Sequence, residues 1–410
     1  MFEVTGKYGT AKVYAAAVED ECISQIYGVM SSPVVEGCNI AIMPDTHVGK
    51  DIVIGFTQKL NTENPRVNPN MVGCDVGCGM LVLKISAEAG NKLFNKPGFE
   101  KFDKIMHTEI PSGMNHRTTL HKFAKDFSRI RELIASTDYD KELYALSSLG
   151  SGNHFVEIDR DENGDYYIVI HSGSRHLGIA VAKYWEDRAI KHLKDISNVK
   201  NELISKLKRE GREKDIQAEL AKLPTVTVSR GIAYLEGIDV DGYLHDMDIC
   251  QEFARLNREA MLDTLIEGMG IKKRHILDKF CTIHNYIDIK NGILRKGAIS
   301  LQKDEIAIIP GSMEYGSLIV KGKGNPDWNF SGPHGFGRKL SRSKAKETLK
   351  MEEFKDRMKN IYSTSVCVNT IDESPMAYKS PEDIIPSIAD TCDIITHITP
   401  IYNFKASDSE

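Results

Sequence analysis

Short apolar runs closed by turn residues set the pattern of the first 90 residues. Asn39–Met43 stops at Pro44-Asp45, Ile52–Thr57 follows, and Met80–Ile85 starts directly after a glycine cluster. Runs bounded in this way by Gly, Pro and Asp predict strands that end in functional loops. Residues 166–170 predict a buried strand that delivers His171 at its end, and β-type runs resume at 281–289, 306–309 and 317–321. Helical patterns lie between these runs. Residues 119–135 read as helix. Residues 242–268 give the clearest one, with Ile249, Phe253, Leu256 and Ala260 at spacings of four, three and four on one face. Residues 179–223 are helical and dense in Lys and Glu, a charged insertion whose mixed signs fit a solvated hairpin or lid better than a nucleic-acid grip. Residues 341–360 are helical and basic. No repeat, low-complexity stretch or Pro/Gly linker divides the chain. Residues 1–410 are therefore expected to form one domain, with strands from both ends meeting in one core.

Composition narrows the class. Apolar residues make up 41% of the 410 and charged residues 27%, a globular profile with enough chain for a sizeable core. The net charge of −5 excludes a protein that grips nucleic acid by bulk charge, but leaves room for a local basic cleft. No run of about 18 apolar residues predicts a membrane span, and the N-terminus has no apolar core of a secretory signal. With eight scattered cysteines, of which only Cys74 and Cys78 are close, a reduced cytoplasmic protein is expected.

The candidate chemistry lies in glycine-rich segments. Val72–Met80 (VGCDVGCGM) offers a carboxylate, Asp75, and a thiol, Cys78, in a backbone that can bend around something small. Such donors suit a borderline divalent metal, and a tight turn with buried thiols is the competing reading. Spacing does not decide which cysteine would be the ligand; Cys74 reads equally as a small buried hydrophobe. Asp45 and His47 end a strand in MPDTHVGK. Asn153 and His154 follow two glycines in LGSGNHFVE. HSGSR carries His171 and Arg175, and His284 sits in IHNY. Each histidine alone has an ordinary structural explanation, and nothing in the chain shows that they converge. Two later segments look built for an anion: Pro310–Met313 leading to Ser317, and SGPHGFGR leading to SRSK. There is no G-x-x-x-x-G-K-[ST], no H-E-x-x-H, no G-x-G-x-x-G opening a helix, and no lysine-centred K-x-D-G of the usual nucleotidyl-transferring ligases.

Taken in order and spacing, MPDTHVGK, VGCDVGCGM, SLGSGNHFVEI, HSGSR, HNY, RKGAIS, PGSM, PHGFGR with SRSKAK, and PMAYK resemble the RtcB family of RNA ligases along nearly the whole chain. The resemblance implies a single α+β domain with a sandwich-like sheet core, flanking helices and a deep metal cleft. It implies GTP-dependent joining of an RNA end bearing a 2′,3′-cyclic phosphate or 3′-phosphate to a 5′-hydroxyl RNA end, with two manganese ions. Cys78 would bridge both ions as thiolate. Asp75 and His154 would complete one site, and His171 and His284 the other. His334 would be the nucleophile that takes GMP, with Asp45 and Arg175 near it and the phosphates. Asn153, Glu157, Ser312, Ser317, Arg338, Tyr378 and Lys405 would contact the nucleotide, Lys405 by its distance from Tyr378 alone. Three departures from the family pattern bear on nucleotide preference and rate: Phe336 where a small residue is usual, Glu314 after PGSM, and Pro333 before His334. Two other functions compete: a dinuclear metal phosphohydrolase, which would not need His334, and a non-catalytic binder of RNA ends.

Overall fold

The computed structural model describes residues 1–222 and 233–406. The strands, in chain order, are β1 (Phe2–Thr5), β2 (Thr10–Val13), β3 (Asn39–His47), β4 (Ile54–Lys59), β5 (Gly79–Ile85), β6 (Phe155–Arg160), β7 (Tyr166–Ser172), β8 (Ile276–Ile283), β9 (Asn285–Asp288), β10 (Ile293–Lys296), β11 (Ala298–Ser300), β12 (Ile306–Pro310), β13 (Ser317–Gly322), β14 (Ser331–Pro333) and β15 (Cys392–Lys405). The α-helices are α1 (Asp20–Met30), α2 (Ala87–Leu93), α3 (Lys96–Glu109), α4 (Tyr139–Leu143), α5 (Arg175–Arg209), α6 (Ile216–Ala221), α7 (Ile238–Met269), α8 (Arg342–Thr348), α9 (Met351–Arg357) and α10 (Pro381–Ile384).

The larger sheet runs β12-β13-β15-β6-β7-β5-β8 and is antiparallel throughout. It curls until its edges nearly meet: the Ile308 N–H on β12 donates to Thr282 Oγ1 on β8 at 3.2 Å. Side chains of a strand alternate between faces, so this curl sorts them. Met80, Val82, Phe155, Tyr167, Val169, Ile308, Ile319 and Ile398 pack inside. Leu81, Leu83, Val156, Ile158, Ile168 and Ile170 face outward onto α2, α3 and α7. A second sheet, β1-β2-β3-β4-β10-β9, packs its apolar face on α1, α5 and the first half of α7. The fold is thus a mixed α+β domain with a nearly closed antiparallel sheet flanked by helices.

Helix α7 lies between the two sheets. Its residues 240–253 join the core of the second sheet, and Met261, Leu262, Leu265 and Met269 join the outer layer of the first. It is buried on more than one face, which extends the single stripe expected from Ile249, Phe253 and Ala260. Strands β8 and β9 belong to different sheets and only His284 separates them. The chain therefore crosses between sheets at a histidine.

Three sequence expectations change. Residues 119–135 form two 3₁₀ segments, Lys122–Asp126 and Ser128–Glu132, and no α-helix. Ala124, Phe127, Ile130 and Leu133 enter the core at every third position, the period of a 3₁₀ helix. The end of this stretch is held by the buried Asp246 carboxylate, which accepts from the N–H groups of Ile134 and Ala135, both at 2.9 Å. Residues 341–360 split into α8 and α9, because Leu349 and Lys350 are extended. The terminal strands pack into different cores: Val4, Ala11 and Val13 join that of the second sheet, whereas Ile398, Tyr402 and Phe404 on β15 join those of the larger one. The charged stretch at 179–223 is the long α5 followed by α6, with residue 223 outside the described residues.

Candidate functional site

The ends of β5, β7 and β8 and the loop before β6 bring four side chains to one point. Register does this: Met80 pairs with His171, His171 with Phe155, and Gly79 with Ile283, which sets His171, His154, Cys78 and His284 side by side. Cys78 Sγ lies 3.2 Å from His154 Nε2 and 3.3 Å from His171 Nε2. His171 Nε2 lies 3.0 Å from His284 Nε2. Asp75 Oδ2 lies 2.9 Å from His154 Nε2. Cys78, His154, His171 and His284 are all buried, and the donor atoms of the first three lie within 4.8 Å of one another.

This donor set fits a cation. His171 Nδ1–H donates to the Asn153 carbonyl at 3.1 Å, so a neutral ring presents a lone pair at Nε2 to the thiol and to a second imidazole nitrogen. Burial, reinforced by the neighbouring histidines, holds His171 and His284 well below the usual imidazole range, which keeps them neutral. Asp75 is held at about 2: burial raises it, but the bond to His154 and its charge, with Cys78 and Arg175, together outweigh burial. In the bare cluster, burial and then the Asp75 carboxylate push the Cys78 thiol well up. A divalent ion held there would reverse that balance and favour the thiolate. Gly173 is required here, since a Cβ on it would collide with Asp75 Oδ1.

Helix α7 steadies the cluster from behind. Arg258, fully buried, donates to the carbonyls of Gly77 (2.9 Å) and Ser172 (2.8 Å). Asn257 donates to the carbonyls of Ser148 (3.0 Å) and Gly173 (3.2 Å) and accepts from the Ser148 N–H at 3.0 Å. Two adjacent residues thereby hold three of the segments that carry the clustered side chains.

His334 follows β14, and its ring lies 4.9 Å from that of His284. Its Nδ1 lies 2.7 Å from Asp45 Oδ2, and its backbone N–H donates to the same oxygen at 3.2 Å. An ionised carboxylate only accepts, so Nδ1 carries the proton and Nε2 is free as a nucleophile. Gly337 has φ +73, and a Cβ there would strike the Asp45 carbonyl, which explains a glycine at this place in PHGFGR.

A cavity of about 450 Å³ opens beside this histidine. Asn153, Glu157, Ser312, His334, Arg338, Tyr378 and Lys405 line it, as does the metal-cluster residue His171. Lys405 Nζ lies over the Phe155 ring at 5.4 Å and donates to Glu373 Oε2 at 2.8 Å. Burial raises Glu157 to about 7 against the pull of Lys405, and Asn403 Nδ2 donates to its Oε1 at 2.6 Å.

Other expected residues sit elsewhere. Ser317 is fully buried at the start of β13 and does not line the cavity, nor does Arg175, which donates to Ser148 Oγ at 3.1 Å and to the Gly113 carbonyl. Cys74 is exposed, which corrects the reading of it as a buried hydrophobe. Glu314 faces outward to Arg357 at 3.1 Å. Phe336, by contrast, does line the cavity, and its buried ring packs against Tyr315 and the apolar layer of β12 and β13. The sequence reading gave no role to His47 or Glu373, and to Arg342 only a place in an anion-binding segment. His47 lines the cavity, its ring 6.4 Å from that of His334, and burial lowers it to about 4. His47 and Arg342 stand in segments already singled out, whereas Glu373, in a polar stretch, carries no signal of its own.

Comparison with known proteins agrees with this geometry. A family model described as tRNA-splicing ligase RtcB matches residues 25–137 and 128–406. RNA-splicing ligase RtcB1 of Escherichia coli (strain ATCC 25922) is 31% identical over 390 residues, covering 87% of each chain. RNA-splicing ligase RtcB of Escherichia coli K12 is 30% identical over the same length and shares. The tRNA-splicing ligase RtcB of Aeropyrum pernix is 24% identical, covering 84% of this chain and 82% of its own. A family model spanning residues 25–406, together with relatives 30–31% identical over 87% of the chain, places this protein in the RtcB tRNA-splicing ligase family.

Proposed function

We propose that this protein is a GTP- and Mn²⁺-dependent RNA ligase. It joins ends bearing a 2′,3′-cyclic phosphate or a 3′-phosphate to 5′-hydroxyl ends through a histidine–GMP intermediate. The observation that carries this reading is the placement of His334, whose Nε2 is left free by Asp45 where the cavity meets the Cys/His cluster. A dinuclear metal phosphohydrolase, which attacks with metal-activated water, does not need such a group.

Cys78, Asp75 and His154 would hold one ion, and Cys78, His171 and His284 the other. Manganese bound there supplies Lewis-acid charge to phosphate oxygens. His334 Nε2 attacks the α-phosphorus of GTP and pyrophosphate leaves. The Asp45 carboxylate, fixed on Nδ1–H, stabilises the charge that grows on the ring. The RNA 3′-phosphate, formed by water where the end is cyclic, then attacks the same phosphorus. The P–N bond breaks, His334 is restored, and the RNA ends in 3′-pp-G. Attack by the 5′-hydroxyl forms the phosphodiester and expels GMP. Lys405, Tyr378, Arg338, Ser312, Asn153 and Glu157 would bind and orient the nucleotide.

The test is incubation with α-labelled GTP and Mn²⁺. Label on the protein that is lost in acid and kept in alkali is the expected phosphoramidate. Absence of label, or label stable in acid, contradicts the reading.

A further inference from the structure

Four side chains that line the cavity share an anchor that does not. Glu373 lies behind the wall, 3% exposed. Its Oε2 accepts from Tyr378 OH at 2.6 Å and from Lys405 Nζ at 2.8 Å. Its Oε1 meets Arg342 Nη1 at 2.6 Å and Arg338 Nη1 at 3.2 Å. Three of these contacts are hydrogen bonds, from Tyr378, Lys405 and Arg338, and Arg342 adds an ion pair. The donors come from β15, from α8, from the loop after β14 and from the turn before Pro381, so one side chain fixes the relative positions of four segments. Arg342 Nη1 donates its hydrogen bond to the adjacent Asp372 at 2.7 Å.

We propose that Glu373 is a positioning residue for nucleotide selection: it holds Lys405 and Tyr378 in one arrangement and offsets the charge of Arg338 and Arg342. The cavity then selects by base as well as by phosphate. This inference rests on reading the cavity as the GTP site. The chemistry follows from what Glu373 leaves free. The Tyr378 proton is committed to Glu373, so its oxygen faces a ligand as acceptor only. Lys405 keeps donors that attract a base carbonyl and repel an exocyclic amino group. Arg338, Arg342 and Lys405 bring three positive charges, against the two negative charges of Glu373 and Asp372. Neutralising Glu373 strengthens an attraction for phosphates that is the same for every nucleoside triphosphate. It also loosens the groups that distinguish bases, so discrimination falls on both counts.

The experiment measures GMP and AMP transfer to the Mn²⁺-loaded protein from α-labelled GTP and ATP. It compares wild type, Glu373→Gln and Glu373→Asp. For Glu373→Gln, the KM for GTP should rise roughly tenfold, as expected for losing a charged hydrogen-bond anchor. The saturated rate should stay within about threefold, because His334 and the metal ligands are untouched. The GTP-over-ATP ratio of kcat/KM should fall roughly tenfold, and Glu373→Asp should recover part of both. A base ratio equal to that of wild type, a loss confined to kcat, or no recovery in Glu373→Asp overturns the proposal. Wild type without label sinks the ligase reading itself, and this inference with it. If Glu373→Gln does not fold, Tyr378→Phe removes one of the four contacts and keeps the ring. A rise in KM with a lower base ratio supports the proposal there, and unchanged values overturn it.

Discussion

Cys78 and Cys74 share one loop and differ in what surrounds them. Cys78 is buried against two imidazoles, whereas Cys74 is exposed. Cys78→Ala should abolish Mn²⁺ binding, GMP transfer and joining, while Cys74→Ala should change stability by less than about 0.5 kcal/mol and keep its metal. Metal content of the two purified variants checks this, and loss of metal in Cys74→Ala alone would reverse the assignment. Phe336 is the departure that has two roles in the structure, since its ring lines the cavity and also packs in the apolar layer of β12 and β13. Phe336→Ala should cost on the order of 3 kcal/mol of stability and change the saturated GMP-transfer rate only about threefold. Equal melting temperatures would show that the ring is not seated there. Glu373 also makes a pH prediction. Burial raises its pKa, but Lys405, Arg342 and Arg338 outweigh burial and hold it at about 2, below the ordinary 4.5. Its contribution is therefore complete above the ordinary value and is lost as pH falls from there through about 2. The melting temperature of wild type should fall more steeply than that of Glu373→Gln over that window, and parallel curves would contradict it.

At the scale of elements, α7 supports the site from behind, through the backbone of the loops around it. Arg258→Met should leave the Gly77 and Ser172 carbonyls buried without donors, at a cost on the order of 3 kcal/mol. It should weaken Mn²⁺ binding by tenfold or more, because two ligand loops lose a common support. Calorimetric titration with Mn²⁺ checks this, and unchanged affinity would assign the cluster's rigidity to the strands alone. This element also shows what a sequence can and cannot tell. The periodicity of Ile249, Phe253 and Ala260 made the helix legible, because burial along a helix repeats locally. The roles of Asn257 and Arg258 were not legible, because their partners lie in loops more than 80 residues away. The strands at 39–43, 80–85 and 166–170 were legible from local punctuation. The stretch 119–135 was misread because a charged 3₁₀ segment with a period of three resembles a helix over a short window.

At the scale of the molecule, the site lies where two sheets meet. β8 hands the chain to β9 across His284, β3 delivers Asp45, and β14 delivers His334. No spacing along the chain places His154, His171, His284 and His334 together; strand register and the curl of the larger sheet do so. The motif resemblance supplied this part of the reading in advance, and local pattern could not. Among the described residues, no helix is long and apolar enough to cross a membrane. The central claim is that His334 serves activation alone, while the Cys/His cluster serves the whole reaction. The most direct measurement is joining by His334→Ala of two RNA substrates, one ending in 3′-phosphate and one supplied with a preformed 3′-pp-G end. The account predicts that the variant keeps its metal, takes no GMP and fails on the 3′-phosphate, yet joins the preformed end, because the activation step is bypassed. A variant that still forms a GMP adduct, or that holds its metal and cannot join the preformed end, would contradict it.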